Sequence, residues 1–389
     1  MWLREAVIAV SLIATLSSCS GNRSSNVLPV AGTNIAPLAA GNLKLPVGPR
    51  CSASNAFPAK FFVGFTIGGL STSDAWVAAL DQTAHLEFLH YSAGTVKTTV
   101  PSAPQFQSVS SILPISDTDV WFAGNAYSIG GYLLHFNGLA WSQVANAPGL
   151  DPTSTIVNSI AARSANDVWF AGETGVGKTT RLMLEHWNGT AMKLVAVGPY
   201  AVNGGAPDII EFSPSNVFIL VNGLIRNSIG VEVARWNGAH LMFTILPLLP
   251  GQASLASVGQ QMAATSPTDV WVVSNAAPPG SLATTLQIWR FNGTWQPYLY
   301  TPVENTIVGQ GMVALRANDY AITAINTTEP VFQALTFAYN GTTRWHLEPN
   351  NLPQFPIGKA SHIAGTSSFW TLLGDPTGGS SEAVLVTCT

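Results

Sequence analysis

Apolar residues along most of the chain form short runs, either alternating with polar residues or continuous. In residues 158–197, the runs NSIAARS, DVWFAG, RLMLEHW and AMKLVAV are separated by turn-forming residues. Such runs are typical of β-strands packed between neighbouring sheets, and they lack the 3.6-residue period of amphipathic helices. The pattern predicts an all-β domain whose basic unit has four strands.

This unit is repeated along the chain, and its first half reads Ser-x-x-Asp-Val-Trp with variations. The copies are STSDAW (Asp74), SDTDVW (Asp119), SANDVW (Asp167), SPSNVF (Asn216), SPTDVW (Asp269), RANDYA (Asp319) and a degenerate TSSFW ending at Trp370. The first six anchor residues are 45 to 53 positions apart. Four-stranded antiparallel units at this period are the signature of a β-propeller, and seven copies predict seven blades.

The second half of the unit is an aromatic residue followed by Asn-Gly. The copies are HFNG (Asn137), HWNG (Asn188), RWNG (Asn237), RFNG (Asn292) and AYNG (Asn340), with a looser HYSAG at 90–94. Asn-Gly favours a two-residue type I′ turn between antiparallel strands. The Asp of Ser-x-x-Asp is expected to cap a second tight turn rather than to act as a catalytic acid.

The last unit contains only three strands, ASHIAGT, SFWTLLG and EAVLVTCT. A closed ring needs a fourth, and the segment CSASNAFPAKFF that starts at Cys51 is expected to supply it. Cys388 would then lie beside Cys51, which favours a disulfide bond over two free thiols. The chain contains no Cys-x-x-Cys pair, which would have indicated a zinc site.

The N-terminus has a short positive region at Arg4 and an apolar stretch from Ala6 to Leu16. These are features of a secretory signal, and the stretch is too short for a membrane span. It ends in Leu-Ser-Ser-Cys, which resembles the lipobox of bacterial lipoproteins. The resemblance implies removal of residues 1–18, acylation of Cys19 with palmitate-type chains, and a lipid anchor in the outer membrane or at the cell surface. Residues 19–50 are expected to be a flexible tether, and 51–389 the propeller.

The segment IGGYLLHFNGLAW at 129–141 resembles the units of kelch and galactose-oxidase propellers, as do the DVW…WNG repeats. The resemblance implies a ring of four-stranded blades. Galactose-oxidase copper chemistry requires a cysteine that modifies a tyrosine in the ring. Cys51 and Cys388 are already assigned to closure, so that activity is not expected.

Charged residues make up 9% of the 389 residues, against about 25% in typical proteins. The net charge is −4, and the Lys and Arg residues form no basic stripe. Nucleic acid is therefore not an expected partner.

Residues Gly172–Thr179 match the phosphate-loop pattern G-x-x-x-x-G-K-[ST]. A working phosphate loop leads into a helix whose amides face the phosphates. Here RLMLEHWNG follows, which has the strand pattern and the Asn-Gly turn of the other units. We therefore predict a hairpin loop that binds no nucleotide.

His90, His135 and His186 occupy one position of the repeat, where later copies have Arg235 and Arg290. Repetition favours a scaffold role, the alternative being convergence on a metal. No metal, cofactor or catalytic residue is expected, because no ligand set or G-x-S-x-G motif is present.

The loops between second and third strands share one face of a propeller, where ligands often bind. We predict a lipid-anchored module that binds or assembles with a protein or glycan. Candidate contacts on these loops are Asn125, Tyr127, Lys178, Arg226, Asn275, Glu329 and Asp375. The alternatives are a hydrolase or lyase acting on an envelope polysaccharide, or a purely structural protein. Carboxylates or arginines clustered at the axis would favour the enzyme.

Overall fold

The computed structural model describes residues 51–55, 63–81, 83–127, 129–176, 179–202, 205–225, 228–248, 257–276, 285–300, 307–316, 319–326, 331–339, 343–349, 355–374 and 381–388. The predicted signal peptide, Cys19 and the tether lie outside these residues. Within the described part of the chain, no helix has the length and apolar character needed to cross a membrane.

The described residues form 28 β-strands and one short 3₁₀ turn, Pro152–Ser154. The strands are β1 Cys51–Asn55, β2 Val63–Ser71, β3 Asp74–Leu80, β4 Leu86–Ser92, β5 Thr95–Thr99, β6 Phe106–Ser116, β7 Asp119–Ala126, β8 Gly130–Phe136, β9 Trp141–Val144, β10 Thr155–Ser164, β11 Asp167–Thr174, β12 Arg181–Trp187, β13 Met192–Ala201 and β14 Asp208–Ser213. They continue with β15 Asn216–Ile225, β16 Ser228–Trp236, β17 Leu241–Ile245, β18 Ser257–Ser266, β19 Asp269–Ala276, β20 Thr285–Phe291, β21 Trp295–Tyr300, β22 Ile307–Arg316, β23 Asp319–Asn326, β24 Val331–Tyr339, β25 Thr343–Pro349, β26 Phe355–His362, β27 Ser368–Gly374 and β28 Ser381–Cys388.

Among the described residues these strands make seven four-stranded antiparallel sheets. Sheets 1 to 6 are β2–β5, β6–β9, β10–β13, β14–β17, β18–β21 and β22–β25, and sheet 7 is β26–β28 with β1. The first strand of each sheet contacts the first strand of the next, and β26 contacts β2. The predicted all-β propeller of four-stranded blades is therefore confirmed, with the first strands innermost.

Sheet 7 is completed from the N-terminal side, as the sequence predicted. β1 pairs antiparallel with β28, and Cys51 lies opposite Cys388 in the register. The two residues form a disulfide bond across 337 positions of sequence. This bond stands where the other sheets have a hairpin turn.

Two predictions about turns are corrected. The Ser of Ser-x-x-Asp caps the turn between the first two strands: Ser116 Oγ accepts from Thr118 N at 3.3 Å. The Asp is free for another role, described below. In the described Asn-Gly turns the glycine has a positive φ, 88° at Gly138, and the asparagine does not. Asn137 Oδ1 accepts from Leu139 N and Ala140 N, and Asn188 and Asn237 cap their turns in the same way. These three are side-chain-capped loops and not type I′ turns.

The core lies between adjacent sheets. Each junction is filled by alternate residues of the second strands, such as Trp121 and Ala123 facing sheet 3, and Val120 and Phe122 facing sheet 1. Strands covered on both faces explain the continuous apolar runs, such as DVWFAG, in the sequence.

Candidate functional site

A cleft of about 410 Å³ lies between sheets 2 and 3 on the loop-rich face. Its described lining residues are Gln107, Asn125, Ala126, Gly130, Thr153, Ser154, Ile156, Gly175 and Val176. They come from the first strands of both sheets, the end of β7 and the start of β8, the loop after β11, and the 3₁₀ turn that connects the sheets. The volume is within the roughly 300–1,000 Å³ of small-molecule pockets.

The polar groups of the cleft are amides and hydroxyls. Asn125 Nδ2 donates to Gln107 Oε1 at 3.1 Å, which places the two side chains side by side. Thr153 Oγ1 and Ser154 Oγ are positioned by Asp151, whose carboxylate accepts from both. None of the described lining residues is charged.

Glycines let backbone segments approach each other closely around this cleft. An ideal Cβ on Gly130 of sheet 2 would be 2.2 Å from Pro152 O, in the connection to sheet 3. One on Gly172 would be 1.9 Å from Ile156 O, on the neighbouring strand of sheet 3. Gly175 adopts φ 107°, which side chains with a Cβ rarely do. Close backbone approach within sheet 3 and the turn at Gly175 therefore account for two glycines of the phosphate-loop pattern.

The phosphate-loop pattern itself spans the end of β11 and the loop before β12. Thr179 closes a local turn, its Oγ1 donating to Val176 O at 2.8 Å. Strand β12 starts at Arg181, so the predicted hairpin slot is confirmed. The absence of nucleotide binding stays a prediction.

The structure brings only some of the predicted contact residues to this face. Asn125 lines the cleft, and Tyr127, next to lining residue Ala126, is 53% exposed. Asn275, expected to be exposed, is not: it is 7% exposed, and its amide is bonded to sheet 6. The remaining four candidates lie outside the described residues: Lys178, Arg226, Glu329 and Asp375. Gln107, Thr153 and Ser154 were missed, because nothing in the repeat distinguishes them from other surface polar residues.

The repeated histidines lie on the opposite face, where each pairs with the Asp of its own sheet. His90 Nε2 is 3.1 Å from Asp74 Oδ1 and stacks on Trp76. This His–Asp contact supports the expected scaffold role of the histidines. It also explains why the Asp does not cap the turn. The described residues include no group of three or more His, Cys, Asp or Glu that could hold a metal ion.

Polar side chains cross the axis of the ring. Lys359 Nζ donates to Asp208 Oδ1 at 3.2 Å, joining sheets 7 and 4, which are not neighbours. Gln261 Nε2 of sheet 5 donates to Ala360 O at 2.8 Å, and Gln261 Oε1 accepts from Met312 N of sheet 6. The one carboxylate in these described contacts, Asp208, is paired with the ammonium group of Lys359. These side chains also connect sheets that are not neighbours in the ring.

Two buried carboxyl groups have strongly raised pKa values. Burial raises the pKa of Glu185 to about 7, although Ala147 N donates to it. Burial, together with the neighbouring Asp167, raises the pKa of Glu211 to about 8. Neither residue lines the cleft. Their acidity therefore concerns stability rather than the candidate site.

No family model matches the chain, so its resemblance to kelch and galactose-oxidase propellers rests on its motifs alone. No curated protein matches it either. Among solved structures, the chain is similar to YCF48 from Cyanidioschyzon merolae, with a TM-score of 0.55 and 12% identity over 86% of this chain and 98% of that one. It is also similar to YCF48 bound to a D1 peptide, with a TM-score of 0.54 and 14% identity over 88% and 97%.

A third similar structure is a family PL25 ulvan lyase bound to a saccharide. Its TM-score is 0.54, with 8% identity over 84% of this chain and 90% of that one. At these identities the similarities show the fold and leave the function open.

Proposed function

We propose that the chain is an exported binding module of the bacterial cell envelope, which captures a protein or glycan ligand at the loop-rich face of a seven-bladed ring. Cys19 would carry the lipid anchor after removal of residues 1–18. Residues 19–50 would hold the domain away from the outer membrane or cell surface. The sparse charge of the chain suits a partner recognised by shape and hydrogen bonding.

The observation that carries the proposal is the cleft between sheets 2 and 3. It combines polar groups from two sheets, Asn125 and Gln107 on one and Thr153 and Ser154 beside the other. The backbone around it is held by strand pairing and close glycine contacts, so the polar groups are positioned before a ligand arrives. Solved structures of the same fold hold a peptide in one case and a saccharide in another.

The alternative of a polysaccharide hydrolase or lyase has less support. Such chemistry uses two carboxylates, or an acid and a base, near one bond. The described axial carboxylate, Asp208, is paired with Lys359, and the cleft is lined by amides and hydroxyls. A role in binding alone requires no catalytic group in addition to these amides and hydroxyls.

The anchor and the ligand are tested separately. Labelled palmitate should be incorporated into the full chain in bacteria, and Cys19→Ser should abolish both the labelling and the membrane fractionation. Membrane attachment that survives Cys19→Ser would refute the anchor.

For the ligand, the purified full chain is applied to a glycan array and to envelope peptides. Binding that survives Lys178→Ala would assign the phosphate-loop pattern to the scaffold. ATP turnover or ATP-dependent thermal stabilisation that is lost in Lys178→Ala would overturn the binding-module proposal in favour of a nucleotide site.

A further inference from the structure

Four described polar side chains occupy one position of the repeat, the sixth after its Asp or Asn anchor. Each is near the end of a second strand and points at the next sheet. They are Asn125 of sheet 2, Glu173 of sheet 3, Asn222 of sheet 4 and Asn275 of sheet 5.

Three of the four join their sheet to the next one. Asn275 Nδ2 donates to Gly309 O at 2.7 Å, and Gly309 N donates to Asn275 Oδ1 at 2.9 Å. Asn222 bonds to Gly259 in the same way, with Gly259 N at 2.8 Å from its Oδ1. Glu173 accepts a hydrogen bond from the backbone of Gly205, which lies just before β14 and whose C=O accepts from Asn222 N of sheet 4. We refer to these three contacts as the inter-sheet clasps.

Asn125 makes no such clasp. Its Nδ2 donates within its own sheet, to Gln107 Oε1, and no hydrogen bond of the described residues joins it to sheet 3. The cleft opens at this junction.

Asn125 differs from Asn222 and Asn275 in the residue that faces it from the next sheet. Sheets 5 and 6 have Gly259 and Gly309 there, where an ideal Cβ would be only 3.0 Å from Leu220 and 2.7 Å from Leu286. Sheet 3 has Val157 at the corresponding register position, paired with Gly172. Its side chain is buried in one hydrophobic cluster with Ala123 and Leu133 of sheet 2. The side chain of Val157 therefore fills the space that Asn125 would need to reach the backbone of sheet 3.

We infer that this cleft binds an uncharged sugar residue of a glycan, and that Asn125 and Gln107 are the residues that recognise it. The inference rests on the proposed binding function and names the ligand class of that same site.

The chemistry of the cleft supports a neutral, hydroxylated ligand. Asn125 Oδ1 is an available acceptor and Gln107 Nε2 an available donor, a pair that matches two adjacent hydroxyl groups of a sugar ring. An ionised ligand would be desolvated without a counter-charge among the described lining residues.

Apolar groups complete the match. Ile156 and Val176 offer carbon surface to the C–H face of a sugar ring, and the exposed Tyr127 adjoins Ala126 at the same site. Gly130, at the start of β8, and Gly175, in the loop after β11, add lining without side chains.

The test compares the same side chain at one repeat position in two different sheets. The full chain in detergent is applied to an array of neutral oligosaccharides, uronate-containing and sulfated oligosaccharides, and synthetic peptides, and the best ligand is then titrated calorimetrically. We expect a neutral oligosaccharide to bind. Asn125→Ala should weaken that binding at least tenfold and Gln107→Ala severalfold. Asn275→Ala, the matched control, should lower the melting temperature but leave the affinity at 20 °C within about twofold.

The other outcomes separate the inference from the proposed function. Asn125-dependent binding of an acidic saccharide or a peptide would refute the sugar class and keep the binding module. Neutral-glycan binding that is unchanged in both Asn125→Ala and Gln107→Ala would refute the cleft as its site. A wild-type chain that binds no probe would contradict both.

Discussion

His186 Nε2 lies 2.8 Å from Asp167 Oδ1, and its ring stacks on Trp169 with 4.4 Å between centroids. The contact ties the third strand of sheet 3 to the start of its second strand. In sheets 4 and 5 an arginine does the same: Arg235 Nε donates to Asn216 Oδ1 at 2.8 Å, and Arg290 Nε donates to Asp269 Oδ1 at 2.9 Å. This position of the repeat therefore requires a hydrogen-bond donor that lies over an aromatic ring, and either histidine or arginine can supply it.

His186→Ala should lower the free energy of unfolding by about 1–3 kcal/mol, because it leaves the part-buried Asp167 without this donor. His186→Arg should restore most of the loss, since arginine makes the equivalent contact in two other sheets. Urea unfolding at pH 7 measures both. Equal losses in the two variants would contradict the interchange of donors.

Cys51→Ala should destabilise the domain by roughly 2–5 kcal/mol, because sheet 7 then loses the covalent link between β1 and β28. The loss should be visible as a lower melting temperature in scanning calorimetry. Dithiothreitol should reproduce it in the wild type and have no effect on the variant. A wild type unaffected by complete reduction would show that strand pairing alone holds the closure.

Glu185→Gln should stabilise the protein at neutral and alkaline pH. The pKa of Glu185 is about 7 in the folded state and about 4.5 in the unfolded chain, so the folded state holds the proton more tightly. The wild type should therefore lose stability relative to the variant as pH rises from 4.5 through 7, by an amount on the order of 3 kcal/mol. Chemical denaturation at pH 5 and pH 8 measures the difference. A gap that does not widen with pH would contradict the raised pKa.

Asn275→Ala should cost about 2–4 kcal/mol of unfolding free energy, because it leaves the backbone N–H and C=O of Gly309 unpaired in a buried place. Asn125→Ala should cost less than about 0.5 kcal/mol, because Asn125 bonds only to the exposed Gln107. Urea titrations of the two variants give the comparison. Similar losses would mean that Asn125 makes a clasp in solution.

Gly172→Ala should destabilise the domain by several kcal/mol, since its Cβ would lie 1.9 Å from Ile156 O and force the paired strands β10 and β11 of sheet 3 apart. Gly94→Ala is the control, because no atom lies within 4 Å of its Cβ position, although its positive φ carries a smaller cost. Thermal melts of both variants check this. A Gly172→Ala protein as stable as the wild type would remove the packing explanation for this glycine.

Much of the fold could be predicted because its determinants are local and repeated. Alternating apolar residues and a turn residue at fixed offsets recur in every unit, so the strands, the hairpin slot of Gly172–Thr179 and the pairing of Cys51 with Cys388 follow from one pattern. The detailed turn chemistry was wrong, because Ser-x-x-Asp offers two side chains that can cap. The pairing of His with Asp decides which one does.

The sequence by itself determined the repeat, the four-stranded unit and the closure of the last sheet. It could not separate Asn125 from Asn275, which stand at one position of the repeat before the same residue, alanine. Only the tertiary structure decided that Asn275 is a buried clasp and that Asn125 lines a cleft. The physical reason is the residue opposite each asparagine in the next sheet. Gly309 of sheet 6 leaves its backbone open to the amide of Asn275, whereas the side chain of Val157 in sheet 3 fills the corresponding space opposite Asn125.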